Sequence, residues 1–201
     1  WMMPSQAPIA RLIANAQKKV ASNSKDGGGH FLLARLYSLQ YAGASDQVGI
    51  YDPDSNPSLP GYQRIQVPGP TKHTPKAGEA LLKSVTHYEH ASQLLNKDAV
   101  VRLGQGWMFE EASKWVQAKA TASPSEQAIR KLTTAQWLAR ASDAYRKAYE
   151  LAKLADAAKE HMWIGMEDMA SVEAAQNLVR LSRSRQISLS SAFVAELSAH
   201  I

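Results

Sequence analysis

Apolar residues recur along most of this chain at the three- and four-residue spacing that places them on one face of a helix. In residues 7–22, for example, Ile9, Ile13, Ala16 and Val20 would share such a face. The same spacing predicts further helices over residues 30–43, 76–96, 98–120, 123–155, 171–182 and 188–201. No alternation of strand and helix patterns appears, so the sequence predicts an all-α fold.

Several predicted helix ends carry the residues that favour them. The glycine-rich stretch over residues 22–29 separates the first two helices, and Gly43 is suited to end the second. Ser123, Pro124 and Glu126 form the pattern of a capping box with proline at the first helical position. We expect one helix of more than 30 residues to begin there.

The helical periodicity stops in residues 43–79, which hold six of the nine prolines. Proline fixes φ and removes a hydrogen-bond donor, so no helix is expected in this stretch. Residues 1–201 are therefore predicted to form a single helical domain with a Pro- and Gly-rich insertion at 43–79. A connection of this length in a compact domain is usually either functional or unstructured.

One pattern in the insertion resembles the start of a calcium-binding loop. Asp52, Asp54 and Asn56 stand at alternate positions, as the first ligands of an EF-hand do. That loop also needs glycine at its sixth position and glutamate at its twelfth, where this chain has Pro57 and Gln63. Turn formation by Asp and Asn explains the composition better, so no metal site is predicted here.

Two glycines stand inside a predicted helix, in the stretch Leu-Gly-Gln-Gly-Trp over residues 103–107. Each glycine in a helix costs about 1 kcal/mol relative to alanine. Gly104 and Trp107 are neighbours one turn apart, and a small residue beside a large ring lets a second helix approach closely. This packing explains Gly104 and leaves Gly106 without a role. The leucine, small and aromatic positions that carry the pattern are Leu33, Ala34, Tyr37, Tyr88, Ala91, Leu103, Gly104, Trp107, Ala141, Tyr145 and Ala148.

The pattern resembles the tetratricopeptide repeat, in which a first helix carries Leu-Gly-x-x-Tyr and a second carries Ala-x-x-x-Phe/Tyr-x-x-Ala. The resemblance covers most of residues 7–170, with degenerate repeats. It implies helix pairs arranged in a right-handed superhelix. Extra residues fall between the two helices of each pair, at 43–79 and at 113–135, and the second set is expected to form an extended helical hairpin tip. In a stacked array these two insertions would be neighbours in space.

The resemblance also implies a function, because first-helix residues of such repeats line a concave groove. On this chain the implied groove residues are Gly28, Phe31, Arg35, Ser38, Asp98, Val101, Gln105 and Met108. We therefore expect a non-catalytic protein-interaction or scaffold module that binds a peptide or partner surface through this groove and the adjacent insertions. The alternative is a ligand, metal or catalytic site that the Pro-rich insertion builds on a helical support.

No motif for catalysis or for a cofactor occurs in the chain, which has no cysteine and no P-loop, GxGxxG or GxSxG pattern. His87 and His90 stand three apart on a predicted helix and could form half of a zinc site. The sequence shows no obvious third ligand. The two histidines are therefore expected to flank a helix contact, and no cofactor is predicted.

The net charge is +5, and the excess lies at the N-terminus, where residues 1–42 carry five basic residues and one acidic residue. Residues 43–79 carry −1 and residues 80–201 carry +2. Nucleic-acid-binding proteins usually show a denser basic stripe and a recognisable motif. A solvated basic face explains the charge better, and weak nucleic-acid binding by the N-terminal helix is a second alternative.

No apolar run approaches the roughly 18 residues needed to cross a bilayer, so no membrane span is predicted. The chain begins with Trp1, an end that signal-peptide removal or a tag remnant before Met2 or Met3 would leave. Between an exported, periplasmic location and the cytoplasm, the pattern slightly favours export. The final segment 192–201 is rather apolar, which indicates either truncation or self-association.

Overall fold

The computed structural model describes residues 6–43, 47–49, 69, 73–118, 123–158 and 167–201. These residues form eight helices and two short strands, so the fold is all-α, as the periodicity predicts. The helices are α1 (Ile9–Ser22), α2 (Gly27–Ala42), α3 (Pro75–Leu94), α4 (Ala99–Gln117), α5 (Pro124–Ile129), α6 (Thr134–Ala158), α7 (Glu167–Arg183) and α8 (Ser191–His200). The strands are β1 (Gln6–Pro8) and β2 (Gln47–Gly49).

The two strands pair antiparallel, with Gln6 opposite Gly49 and Pro8 opposite Gln47. This pairing joins the start of the Pro-rich insertion to the residues that precede α1. Sequence analysis did not predict the pair, because three residues are too few for an alternation of apolar and polar positions to show.

The helices pack in the pairs that the small and aromatic positions predict: α2 packs most extensively against α3, and α4 against α6. α7 then covers α6 and part of α4, and α8 packs against α7. A second, smaller core lies between α1 and α2, where Ile9 and Ile13 contact Leu33 and Tyr37. The superhelical repeat geometry implied by the resemblance stays a prediction.

The two glycines of α4 face two different neighbouring helices. A Cβ on Gly104 would lie 2.5 Å from Cε1 and Cζ of Tyr88 on α3, and closer still to the tyrosine hydroxyl. A Cβ on Gly106 would lie 2.7 Å from Cδ1 and Cε1 of Tyr145 on α6. Gly106, to which the sequence pattern assigns no role, is therefore the residue that admits the α6 tyrosine.

The prediction of one long helix from Ser123 is wrong, because the chain turns at residues 130–133 and forms α5 and α6 instead. The capping box at Ser123 is present, with Glu126 as its third helical residue. A second capping arrangement starts α6, in which Gln136 N donates to Thr133 Oγ1 and Thr133 N donates to Gln136 Oε1. Trp137 Nε1 donates to the carbonyl of Ile129 and holds the turn closed.

In the expected hairpin tip at 113–135, the described residues form the end of α4, the short helix α5, which packs on α3 and α4, and the start of α6, rather than one long extension. Arg130 donates from its guanidinium to the carbonyls of Val116 and Ala118 at the end of α4. The ends of the two insertions are neighbours, as expected. The rings of His73 and Trp115 lie 4.4 Å apart between centroids.

Two further helix starts differ from their predicted positions. α2 begins at Gly27 and so includes the three glycines at 27–29, because Asp26 caps it by accepting a hydrogen bond from Gly29 N and because Gly27 packs under Leu95 with no room for a Cβ. α7 begins at Glu167, so Ser171 lies inside it and is buried rather than capping a new helix.

α4 also carries two adjacent buried carboxylates, Glu110 and Glu111, which are 2% and 3% exposed. Lys114 Nζ lies 3.2 Å from Glu110 Oε1 and 2.7 Å from Glu111 Oε1. Tyr41 of α2 donates its hydroxyl to Glu111 Oε2 at 2.9 Å. Burial and the Glu111 carboxylate raise the pKa of Tyr41 far above its usual value, so this donor keeps its proton.

Glu110 makes the matching contacts towards the other side of α4. Tyr145 of α6 donates its hydroxyl to Glu110 Oε2 at 3.2 Å, and Arg180 of α7 donates to the same oxygen at 2.5 Å. Arg180 also donates to Asn177 Oδ1 at 3.0 Å. The two carboxylates are therefore matched by two cations and two tyrosine hydroxyls, and together they connect α2, α6 and α7 to α4.

Replacing either α4 glycine by alanine is expected to lower the free energy of unfolding. Alanine gains about 1 kcal/mol in helix propensity, but overpacking against a buried tyrosine ring typically costs about 1–3 kcal/mol. Because each added Cβ would lie less than 3.0 Å from a buried ring, the upper half of that cost applies, and we expect Gly104→Ala and Gly106→Ala to be less stable than the wild type by about 1–2 kcal/mol net, measured by urea denaturation.

Gly28→Ala is the matched control, because a Cβ there would meet only Asp26 Oδ1, at an ordinary 3.4 Å. That substitution should leave the chain as stable as the wild type or slightly more stable. Unchanged or raised stability of Gly104→Ala and Gly106→Ala would contradict the close approach of Tyr88 and Tyr145.

Candidate functional site

An open cavity of about 570 Å³ lies between α3, α4 and α6. Its lining comes from one face of each helix, since residues spaced by three, four or seven positions lie on the same side. The lining residues are Glu89, Ser92, Gln93, Arg102, Gln105, Phe109, Ala139, Arg140, Asp143 and Ala144.

Arg102 and Gln105 are held in the cavity wall by hydrogen bonds between α3 and α4. The Arg102 guanidinium donates to Gln105 Oε1 at 3.1 Å and to the carbonyl of Ser92 at 2.9 Å. Gln105 Nε2 donates to Ser92 Oγ at 3.1 Å. Burial lowers the pKa of Arg102, and the Asp143 carboxylate partly offsets this effect. The result is a fixed wall with a partly desolvated guanidinium in it.

Arg140 is fixed on the opposite wall, which belongs to α6. It forms an ion pair with Glu89 of α3, and its guanidinium carbon lies 4.2 Å from the ring centroid of Phe109 and 5.0 Å from that of Trp137. Stacking on two rings and pairing with a carboxylate restrict a side chain that would otherwise be mobile. The cavity is therefore bounded by ordered side chains on both sides.

A second cavity of about 360 Å³ adjoins the first, and the two share Ala139 and Asp143 of α6. Its lining comes from α6 and from the connection between α7 and α8, and consists of Ala135, Ala139, Ser142, Asp143, Arg146, Gln186, Ile187 and Ser188. We call the two cavities together the α6 groove.

The charges of the α6 groove leave two arginines without an ionic partner. Arg140 pairs with Glu89, and Asp143 pairs with Lys147 at 3.1 Å. Arg102 and Arg146 form no ion pair with any carboxylate in the part of the chain that the structure describes. The groove is therefore a site of net positive charge.

Of the predicted groove residues, Gln105 lines the α6 groove, and the others do not. Val101 and Met108 are 0% and 1% exposed in the main core, and Phe31 packs there against Tyr88, with the rings edge to face. Fully buried side chains such as Val101 and Met108 are not available to a partner in this structure, whereas the assignment of Phe31, which is 8% exposed, stays a prediction. The α4 residues that line the groove are Arg102, Gln105 and Phe109. Of these, Arg102 directly follows the predicted Val101, and Phe109 directly follows the predicted Met108.

The remaining predicted groove residues have local structural contacts. Asp98 caps α4 by accepting a hydrogen bond from Val101 N at 3.0 Å. Ser38 is buried and donates its hydroxyl to the carbonyl of Arg35 at 2.7 Å, and Arg35 itself is half-buried. Asp52 and Asp54, the calcium candidates, lie outside the described residues, as does most of the insertion that the alternative hypothesis requires.

A third imidazole joins His87 and His90, and sequence analysis did not identify it. His30 of α2 is 6% exposed, and its Nδ1 lies 3.0 Å from Nδ1 of His87 on α3. The ring centroid of His30 is 5.2 Å from that of His87 and 4.9 Å from that of His90. His30 is separated from His87 by 57 positions, so only the α2–α3 contact brings these rings together. We call the three residues the histidine cluster.

The hydrogen bonds of the histidine cluster fix where its protons lie. His30 Nε2 is 3.2 Å from the carbonyl of Ser24, which only accepts, so Nε2 carries a proton. A neutral His30 then has a lone pair at Nδ1, and His87 donates its own Nδ1–H to it. Among the described residues, no group of three or more His, Cys, Asp or Glu side chains stands ready to hold a metal ion as placed.

The surroundings of His87 disfavour its charged form. Burial, the two other imidazoles and the Lys83 ammonium lower the pKa of His87 to about 4. Tyr37 of α2 stacks on the imidazole ring, with 5.7 Å between centroids. His87 is therefore neutral over a wide range of pH.

No described helix is both long enough and apolar enough to cross a membrane. On α1, Arg11, Lys18 and Lys19 are exposed, and Lys19 pairs with Asp26 at 3.1 Å. Nucleic-acid binding by this helix stays a prediction.

No protein-family model matches this chain, no curated protein matches its sequence, and no solved structure matches its fold. The contacts of the α6 groove and of the histidine cluster are therefore what bears on function.

The low pKa of His87 predicts that the folded chain loses stability as the pH falls from about 6.5 to about 4. In this window the unfolded chain binds more protons at this position than the folded chain does, so acid favours unfolding. The loss from His87 should be on the order of 2 kcal/mol, which His87→Gln removes.

The measurement is urea denaturation at several pH values in buffer containing EDTA. The exposed His73, which lies against Trp115, provides the control. His73→Gln should keep the wild-type dependence of the free energy of unfolding on pH. A His87→Gln variant whose free energy of unfolding depends on pH as steeply as that of the wild type would contradict a lowered pKa of His87 in the folded chain.

Proposed function

We propose that this chain is a non-catalytic binding module that takes an extended, acidic peptide segment of a partner protein into the α6 groove. The observation that carries the proposal is the groove itself, a cavity of about 570 Å³ that continues into a second of about 360 Å³. The first cavity alone is within the usual range for ligand sites, and the continuation past Ala139 suits a ligand that is longer than it is wide.

The polar groups of the groove suit a peptide backbone. Gln93 and Gln186 are exposed in its walls, and each side-chain amide offers both donors and an acceptor. An extended peptide presents N–H and C=O groups in alternation, so amides at both ends of the groove match it. The exposed Ala139 supplies apolar surface between them.

The side chains that line the groove are already held in place, which favours binding with a low entropic cost. Arg102, Gln105 and Ser92 are fixed to one another, and Arg140 is fixed by Glu89 and two rings. Side chains that are already ordered lose little freedom when a ligand arrives.

The positive charge of the α6 groove determines which kind of peptide it favours. Arg102 and Arg146 form no close ion pair with a carboxylate in the described part of the chain, and Arg102, which feels Asp143 only at longer range, is partly desolvated. A carboxylate on the ligand would pair with either guanidinium, and Arg is well suited to such pairing. An acidic segment is therefore favoured over a neutral or basic one.

The lining of the groove also favours binding over catalysis. It contains no histidine, cysteine or lysine, and the hydroxyl of Ser92 donates to the carbonyl of Glu89 while accepting from Gln105. A serine engaged in this way has no adjacent base to activate it.

The test is selection of binders from a random 12-residue peptide library, followed by fluorescence anisotropy on the selected peptides. We expect acidic peptides to be enriched. Ala139→Trp should weaken their binding by about tenfold or more, because the exposed Ala139 stands where the two cavities meet. Ala10→Trp places the same side chain on the exposed face of α1 and should leave binding unchanged.

Arg102→Gln and Arg146→Gln should each weaken binding by about three- to tenfold and reduce its dependence on salt. Arg11→Gln removes the same charge from α1 and should have little effect. Peptides that bind Ala139→Trp as well as they bind the wild type would contradict the groove as the site. Neutral peptides whose binding Ala139→Trp abolishes would contradict only the acidic specificity.

A further inference from the structure

The histidine cluster lies outside the α6 groove and is not explained by the proposed function. Its three imidazoles come from two helices, and none of them lines either cavity. Stacking and one hydrogen bond account for the position of His87, but three imidazoles in contact, with Lys83 nearby, form an electrostatically unfavourable group whenever more than one is charged.

The Nδ1 atoms of His30 and His87 are almost as far apart as two imidazole nitrogens that share a metal ion. Two nitrogens bound to a tetrahedral zinc at 2.0–2.1 Å lie about 3.3 Å apart, and the corresponding ring centroids lie about 5 Å apart. Here the Nδ1 atoms of His30 and His87 are 3.0 Å apart. The centroids of His30 and His87 are 5.2 Å apart, and those of His30 and His90 are 4.9 Å apart. An ion could separate the two Nδ1 atoms with a shift of a few tenths of an ångström.

The orientation of His30 is the one that metal-binding histidines usually have. Such a histidine donates its second ring N–H to a carbonyl or carboxylate, which fixes the tautomer and directs the other nitrogen at the metal. His30 Nε2 makes this contact with the carbonyl of Ser24, at 3.2 Å, in the turn between α1 and α2. Its Nδ1 lone pair is therefore directed at His87 before any ion arrives.

The third imidazole is placed where it can complete the set. His90 is exposed on α3, three positions after His87, so the two side chains share a helix face. As placed, three donor nitrogens do not converge in the described part of the chain. Rotation of the exposed His90 side chain costs little, whereas His30 and His87 are already fixed by their partners. Exposure of His90 also gives an ion access from solvent.

We propose that His30, His87 and His90 bind one divalent transition-metal ion, with Nδ1 of His30 and Nδ1 of His87 as the fixed pair and His90 as the third ligand. Imidazole nitrogen suits Zn²⁺, Ni²⁺ and Cu²⁺, and water would fill the remaining positions. The proton on His87 moves from Nδ1 to Nε2, so both histidines stay neutral and the ion takes two lone pairs.

The test uses the intact chain without an affinity tag, stripped with EDTA and then titrated with ZnCl₂ or NiCl₂. We expect about 100 µM zinc at pH 7.5 to raise Tm by about 3 °C or more, because an ion that binds only the folded chain stabilises it. His90→Gln should weaken zinc binding by about tenfold without changing the metal-free Tm, since His90 is exposed. His87→Gln should abolish the zinc-dependent shift.

His73→Gln is the matched control, because His73 precedes α3 and lies about 20 Å from His87 along the axis of that helix. It should keep the full zinc-dependent shift. The electron paramagnetic resonance spectrum of the Cu²⁺ complex gives a second readout that a purely structural role would not change. Its nitrogen hyperfine pattern should show three imidazoles in the wild type and two in His90→Gln.

Three results would overturn the proposal. The first is a zinc-dependent shift in His87→Gln equal to that of the wild type. The second is a loss of that shift in His73→Gln as large as in His90→Gln. The third is zinc binding weaker than about 1 mM in the wild type, which would indicate an adventitious surface interaction only.

Discussion

The arrangement of this fold depends on α4 having no side chain at two positions, Gly104 and Gly106. Residues two apart on a helix point in nearly opposite directions, about 200° around the axis. One glycine therefore admits Tyr88 of α3 and the other admits Tyr145 of α6. Both tyrosines are almost completely buried, at 1% and 0% exposed, so their rings fill the space that the missing side chains leave. α4 can be central because it is approached closely from both sides.

Close approach from two sides places the middle of α4 out of reach of water, and the two carboxylates there are satisfied internally. Glu110 and Glu111 would be costly to bury alone. Lys114 and Arg180 balance their charge, and tyrosine hydroxyls from α2 and α6 complete their hydrogen bonds. One of these donors is Tyr145, whose ring occupies the space at Gly106. The packing of α6 and the pairing of Glu110 are therefore parts of one contact.

Sequence analysis predicted the helical class, most helices and the pairing of α2 with α3 and of α4 with α6, because these depend on periodicity and on small residues beside large ones. It failed where a short local signal decides the structure. The turn between α5 and α6 depends on a Thr133–Gln136 capping pair within a pattern that otherwise reads as continuous helix. The role of Gly106 could not be assigned without knowing that α6 lies on the side of α4 opposite to α3.

The candidate sites were harder to predict for a related reason. The repeat resemblance implies that one side of α4, with Val101 and Met108, faces a partner. In the structure, contacts with α3 and α6 bury these two residues in the core, and the groove is lined by the residue that follows each of them. Gln105 alone belongs to both the predicted set and the observed set. A residue-spacing argument could locate His87 and His90 on a common face of α3, yet it could not supply His30, which comes from another helix.

The helix that bears on both sites is α3, and the geometry of a helix explains how it serves two purposes. His87 and Glu89 are two positions apart, so they point in nearly opposite directions from the axis. His87 contacts α2 through His30 and Tyr37, whereas Glu89 reaches Arg140 of α6 across the groove. Ser92 and Gln93, one turn beyond Glu89, continue the groove wall. Tyr88, which lies between His87 and Glu89, points to neither site but to Gly104 of α4. The contact that sets the distance between α3 and α4 is therefore made by the α3 residue that lies between the histidine cluster and the groove wall.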